Sequence, residues 1–357
     1  MAHTVTTFRD MSLRPLYGHE ALRERLSQAV RAGRLPQALL LHGPRGVGKQ
    51  RLALWLSQLV LCEQGALEPC GRCQPCRLVG NLSHPDVHWY APLEPAKKAA
   101  DADKLIDLIE AALGDEMAVR RERPLYGPPS GLASHSVAAV RLILRQVSLT
   151  PAMGSHKIFL IGDAERLIPQ QANLESANAL LKVLEEPPGD TLLILTAAEP
   201  DKLLPTILSR LVRTRVLSLP DTVMTSFIQN ELPDLKNRSR AVASAQGSIG
   251  RLLALTAPPV GGGEASGSFL DALRGGSADR YAAALRQTPF QARGGFTDML
   301  DGLVDRLRQE AKEGGDTRRI AAAIALVLEA RERAQGNVNP QLLAAVLSDD
   351  LAAEWRS

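Results

Sequence analysis

At 357 residues, with 45% hydrophobic and 23% charged residues, the chain is long enough for two or three domains with sizeable cores. A net charge of +3 and an aromatic content of 4% argue against a polybasic or base-stacking nucleic-acid binder. No run of about 18 apolar residues occurs, and the N-terminal MAHTVTTFRDMSLRP lacks a basic start followed by an apolar stretch. Neither a membrane span nor a secretory signal is expected, and the cytoplasm is the default compartment.

In chain order, GHEALRERLSQAVRAG predicts an amphipathic helix ending at Gly33, and QALLLHG a short buried strand. The next stretch, LLLHGPRGVGKQRLALWL (39–56), carries the pattern G-x-x-x-x-G-K from Gly43 to Lys49, between that strand and a helix. The helix QRLALWLSQLVLC is expected to place Leu52, Trp55, Leu56, Leu59 and Val60 on one face. Strand, glycine loop and helix in this order are the context of a phosphate-binding loop. The backbone N–H groups of Gly46, Val47 and Gly48 would cradle phosphate, and Lys49 would reach the terminal phosphates.

The residue after the lysine is Gln50, where the motif asks for a Ser or Thr hydroxyl on magnesium. A neutral amide is a poor ligand for that hard cation.

Four cysteines lie within fifteen residues, at Cys62, Cys70, Cys73 and Cys76. In a reducing compartment such a cluster reads as metal binding before disulfide. Four thiolates suit a closed, structural zinc site. An iron–sulfur cluster is the alternative, although no further Cys follows at x3 before Pro. With four cysteines available, His84 and His88 are not expected to be ligands.

A charged segment that becomes rich in Pro and Gly, from about 93 to 135, reads as a partly flexible insertion. KIFLIG (157–162) and TLLILTAA (191–198) are continuous apolar runs, as in parallel strands covered on both faces. Between them NLESANALLKVLEE has helical spacing and stops at Pro187-Pro188. The adjacent Glu185 and Glu186 do not share a helix face and make no acid–base dyad.

Residues 221–256 read as a small helical unit, APPVGGGEASGS (257–268) as a linker, and 269–357 as a helical domain. The expected layout is an α/β domain with a parallel sheet over 1–219, a helical lid over 220–256, and a C-terminal all-α domain.

The motifs HGPRGVGK, C-x7-CGRCQPC, SANALLKVLEEPP and LLPTILSR, in this order, resemble the clamp-loader branch of the AAA+ ATPases. More narrowly they are similar to bacterial DNA polymerase III clamp-loader subunits, the gamma/tau motor or the delta-prime subunit. Motor subunits of that family end the second-motif strand in Asp-Glu. Aligned on the strand, Gly162 falls at the magnesium aspartate and Asp163 at the catalytic glutamate. With Gln50, these make two losses on one ion. The resemblance then implies a delta-prime-like subunit without ATP hydrolysis of its own, and nucleotide binding is left open.

The resemblance also implies a trans arginine finger at Arg210, from the Ser209-Arg210 pair, entering the ATP site of an adjacent subunit. Leu211 stands where many relatives carry Cys. Arg251 lies near a second-sensor arginine but is displaced by Gly250, so it reads as an exposed helical residue. Implied partners are the gamma/tau and delta subunits in a hetero-pentameric ring, the sliding clamp and primer-template DNA. The C-terminal helices would form a collar. A gamma/tau-type ATPase is the alternative within the family. A stand-alone P-loop kinase and a zinc-dependent DNA-binding module are alternatives of other classes.

Overall fold

The structure, a computed structural model, describes residues 13–65, 67–94, 102–122, 133–167, 174–256, 262–287, 295–312, 314–334 and 338–356. They fall into two compact units, one ending at Thr256 and one beginning beyond it.

The first unit is built on a five-stranded sheet in the order β2-β3-β4-β1-β5, parallel throughout. Its strands are β1 (Ala38–His42), β2 (Val87–Tyr90), β3 (Lys157–Ile161), β4 (Thr191–Ala197) and β5 (Val212–Arg215). The helices around it are α1 (Glu20–Arg31), α2 (Lys49–Leu61), α3 (Gln74–Gly80), α4 (Ala102–Glu122), α5 (Val137–Val147), α6 (Leu174–Glu185) and the short α7 (Pro205–Leu208). Successive side chains of a strand point to opposite faces, and here both faces are covered. Leu40, Phe159, Ile161, Leu193 and Leu195 join the core shared with α4, α5 and α6. Leu39, Leu41, Ile158, Leu160, Leu192 and Ile194 join the core shared with α1 and α2. Hence the central strands read as unbroken apolar runs. This is the parallel α/β sheet, with the phosphate loop after β1, next to the edge strand β5, that the resemblance to AAA+ ATPases implies.

Three helices complete the unit: α8 (Asp221–Glu231), α9 (Arg238–Ala245) and α10 (Ile249–Thr256). They have a core of their own around Met224, Phe227, Ile228 and Leu252. The second unit is all helical: α11 (Gly262–Arg274), α12 (Ser277–Leu285), α13 (Gly295–Lys312), α14 (Thr317–Arg333) and α15 (Pro340–Arg356). Phe269, Leu300, Leu303, Leu307, Val327, Leu347 and Leu351 fill its interior. Among the described residues no helix is long and apolar enough to cross a membrane.

Three expectations need correction. The stretch 257–268 is not linker throughout. Residues 257–261 lie outside the described residues, but helix α11 starts at Gly262, because buried Ser266, Phe269 and Leu273 recur at helical spacing on one face. The segment 93–135 contains the 21-residue α4, whose Ile106, Ile109 and Leu113 are buried against the sheet domain. Its Pro/Gly-rich part, 123–132, lies outside the described residues. Helix α2 is buried nearly all round, and Val60 is only half-buried, because α1, α3 and the sheet enclose it.

Two buried charges fix the turn between α5 and β3. Asp86, just before β2, is 3% exposed and accepts from the backbone N–H groups of Ala152 (2.5 Å), Met153 (2.8 Å) and Gly154 (2.8 Å). Lys157, also 3% exposed, donates to the carbonyls of Val147 (2.7 Å) and Leu149. Burial pushes the Asp86 carboxyl up, but the three N–H groups and His84 outweigh it and hold the pKa below the usual aspartate value.

Asp86→Ala leaves those N–H groups without an acceptor and is expected to cost about 2–3 kcal/mol of stability at pH 7. The folded pKa lies below the unfolded one, so this contribution is complete above about pH 4 and fades as pH falls through the lowered value. Thermal unfolding at neutral and acidic pH measures it. The gap between wild type and variant should persist at neutral pH and shrink only in acid.

Candidate functional site

β1 leaves the sheet through Gly43, and α2 begins at Lys49 with Gly48 as its N-cap. Gly43 has φ +151°, and a Cβ there would lie 2.0 Å from the carbonyl oxygen of Val216. Only glycine lets the loop turn this close beneath β5. Val47 is fully buried, and His19 Nε2 lies 2.8 Å from its carbonyl oxygen. Lys49 is 6% exposed, with Nζ donating to the carbonyls of Gly43 and Pro44 at 2.8 Å each. Burial lowers the Lys49 pKa, against the pull of Asp163 and Glu165. The loop therefore keeps the glycine turn and the lysine of the motif, with the lysine turned onto its own carbonyls.

The three-helix unit meets this loop directly. Gly250 N donates to Gly46 O at 2.9 Å, and Ser248 Oγ donates to Arg45 O at 2.8 Å. A Cβ on Gly250 would sit 2.7 Å from the Gly46 Cα, so no larger residue fits that approach. Arg251, next in the chain, is exposed and donates to Gln246 Oε1 at 2.6 Å.

Gln50, Gly162 and Asp163, the positions that the resemblance assigns to magnesium, do come together. Gln50 Nε2 donates to Asp163 Oδ2 at 3.1 Å, while Gln50 Oε1 accepts from Trp89 Nε1 at 3.2 Å. A Cβ on Gly162 would lie 2.8–2.9 Å from all three amide heavy atoms of Gln50. Asp163 has φ +48° and donates its N–H to Thr196 Oγ1 at 3.1 Å. Behind it, His135 is buried and donates from Nε2 to Gly162 O at 2.7 Å. Burial lowers its pKa to about 4, so it is neutral near pH 7. Glu165 turns away and accepts the Ala198 N–H at 3.0 Å. The place between position 50 and the end of β3 is thus filled by a side-chain amide. A hard divalent cation, which seeks carboxylates, hydroxyls and water, does not fit these groups.

Sequence reasoning missed Trp89, Thr196, His135 and Arg120 of α4, which packs 4.0 Å over the Trp89 ring. None belongs to a phosphate-loop motif, and only the folded sheet brings them to Gln50.

Arg210 lies just beyond α7, with its side chain 30% exposed. It pairs with Glu185 at the end of α6, and its Nη1 donates to Thr206 O at 2.7 Å. Arg213 and Arg215 are exposed on β5, an edge strand of the sheet.

Cys62 follows α2, Cys73 is the N-cap of α3, and Cys76 is in its first turn. All four sulfurs, with Cys70, lie within 4.8 Å of one another. Tetrahedral zinc with Zn–S bonds of about 2.3 Å would hold its sulfurs about 3.8 Å apart. The four thiols fit such an ion. The backbone N–H groups of Arg72 and Cys73 outweigh burial and bring the Cys70 pKa down to about 7. His84 is buried and accepts the Asp86 N–H, and His88 stacks on Phe159 at 4.9 Å. Neither joins the cysteine group.

The cysteine loop is docked on α1 and α2. Trp55 Nε1 donates to Glu68 at 2.8 Å, Arg23 pairs with Glu68 at 2.7 Å, and Gln58 Nε2 donates to Cys76 O at 2.9 Å.

Comparison with known proteins places this geometry. The chain is 34% identical over 199 residues to the DNA polymerase III subunit delta' of Pseudomonas aeruginosa, covering 55% of this chain and 48% of that protein. It is 27% identical over 296 residues to the DNA polymerase III subunit tau of Escherichia coli, covering 80% and 39%. It is 28% identical over 185 residues to the delta' subunit of Bacillus subtilis, covering 52% and 43%. The aligned segments thus span about half or less of the length of these relatives. A family profile described as "DNA polymerase III, delta subunit" matches residues 18–220. That match takes in the phosphate loop, the cysteine cluster and Arg210 and covers more than half of the chain, which therefore belongs to the DNA polymerase III delta subunit family.

Proposed function

We propose that the chain is a delta-prime-like subunit of the DNA polymerase III clamp loader that does not hydrolyse ATP itself. The observation that carries this reading is the Gln50 amide lying against Gly162 and bonded to Asp163. Phosphoryl transfer from ATP depends on magnesium bridging the phosphates and neutralising developing charge. Here the hydroxyl ligand is absent, the aspartate position is glycine, and the nearest carboxylate already accepts from the amide.

In this reading the subunit is the rigid stator of a hetero-pentameric ring with gamma/tau and delta subunits. The ring loads the sliding clamp on primer-template DNA, and the helices from α11 to α15 form its collar. Arg210 serves the neighbour. Its guanidinium lies at the end of α7 beside the sheet edge and leaves Glu185 to meet the terminal phosphate of a nucleotide on the adjacent subunit. The pair is partly exposed, and such pairs are worth only about 0.2–1 kcal/mol. A nucleotide phosphate can therefore outcompete Glu185.

Zinc is the metal proposed for Cys62, Cys70, Cys73 and Cys76, with a structural role. The cluster ties the segment after α2 to α3, and four thiolates leave no open coordination position. The gamma/tau-type alternative draws on the intact loop glycines and Lys49, and on the tau similarity extending over 80% of the chain.

Steady-state ATP turnover with magnesium separates the two. The purified chain is expected to be inactive alone. When mixed with an ATPase subunit of the family, clamp and primed DNA, it should stimulate turnover. Arg210→Ala should remove that stimulation, with a loss on the order of 10^3 at the completed site. Turnover by the isolated chain that Lys49→Ala abolishes would establish the motor instead.

For the cysteines, metal analysis should find one zinc per chain, and Cys73→Ser should lose it. Melting temperature should fall on the order of 10 °C with the loss of zinc. Recovery of iron and sulfide in place of zinc would overturn the assignment.

A further inference from the structure

The Gln50 amide does more than fill the metal's place. Gln50 Oε1, which accepts from Trp89 Nε1, also faces Arg120 Nη1 at 3.5 Å. Arg120 sits in the last turn of α4, 3% exposed, with Nε paired to Glu116 at 2.7 Å and its guanidinium 4.0 Å over the Trp89 ring. Burying a guanidinium is unfavourable unless its surroundings supply acceptors and an aromatic face. Here Glu116 supplies one acceptor, Gln50 another, and Trp89 the face. Trp89 is itself 5% exposed, and Gln50 accepts its indole N–H.

A Ser or Thr at position 50 could not do this. Its hydroxyl oxygen sits two bonds closer to the backbone than the glutamine amide atoms. It therefore could not bridge Asp163 on one side to Trp89 and Arg120 on the other. The bridge also depends on Gly162, since any Cβ there enters the space of the amide.

We propose that Gln50 and Gly162 form a coupled pair that converts the metal position into an anchor for the C-terminal turn of α4, acting through Trp89 and Arg120. Asp163 orients the amide, Gly162 makes room for it, and its carbonyl holds the indole and the guanidinium. The first half of α4 is held separately, by Ile106 and Ile109 in the core shared with α5. The anchor therefore acts on the end of the helix, where Met117 also packs against the core shared with α1 and α2. This proposal rests on the residues invoked for the non-hydrolysing reading. Its readout is helix order in the isolated chain, so it can fail while the ATPase reading stands, and the reverse.

Amide hydrogen exchange tests it. In Gln50→Ala, exchange over residues 116–122 should rise about tenfold, as expected for loss of a buried hydrogen-bond partner. Residues 103–110 and strands β3 and β4 should keep their protection. Gly162→Ala should produce the same local rise, because the new methyl displaces the amide. The double variant should then show no more than either single change. Unchanged exchange over 116–122 in Gln50→Ala would overturn the proposal, as would full additivity of the two substitutions. If Gln50→Ala loses protection throughout, Trp89→Phe, which removes the N–H that Gln50 accepts and part of the ring beneath Arg120, is read at the same residues. A local rise there supports the anchor, and unchanged exchange overturns it.

Discussion

Everything near the loop depends on the burial of β1 between β4 and β5. Leu39, Leu40 and Leu41 are 1%, 0% and 0% exposed, so the strand has no solvent face and must be left abruptly at its end. Parallel strands also require crossovers, which bring the C-terminal ends of β1, β3 and β4 to one edge of the sheet. That edge is where ligands bind in open α/β sheets. Gly43 makes the exit possible because it passes under the carbonyl of Val216. The turn then delivers Lys49 and Gln50 to the start of α2, opposite Gly162 and Asp163 at the end of β3.

At this edge two kinds of chemistry compete for the same space. A metal-dependent site needs polar groups left short of partners, so that an ion can complete them. Here the polar groups complete one another: amide to carboxylate, indole to amide, guanidinium to ring. Self-satisfaction of buried polar groups is the usual state of a protein interior. In the proposed reading it leaves the amide of Gln50 where a cation would sit. Gly250 on Gly46 is a further close approach, a backbone-to-backbone contact that leaves no room for a Cβ. In the proposed non-hydrolysing reading, the phosphate-loop shape would be kept because it positions strands and helices around the sheet.

The cysteine cluster follows a different logic. Its sulfurs lie on a loop and on the N-terminal turn of a seven-residue helix, a segment too short to carry a core of its own. Contacts from Trp55, Arg23 and Gln58 hold its backbone to α1 and α2, and an ion at its centre would hold the sulfurs.

The sequence by itself determined the central strands, the phosphate loop, the departure at Gln50 and the cysteine spacing. Each is a local pattern: continuous apolar runs, fixed glycine intervals and two x2 steps between thiols. The family match over residues 18–220 takes in all of these local signals. Only the tertiary structure decided what surrounds Gln50. Gln50, Trp89, Arg120 and Gly162 are far apart in the chain and share no periodicity, and the sheet order β2-β3-β4-β1-β5 is what brings them together. The order of α4 was hidden for a related reason. Its sequence mixes charge with scattered apolar residues, and Arg120 reads as a surface residue until a ring and an amide are placed beneath it. A buried charge is made possible by its partners, and partners distant in sequence are known only once the chain has folded.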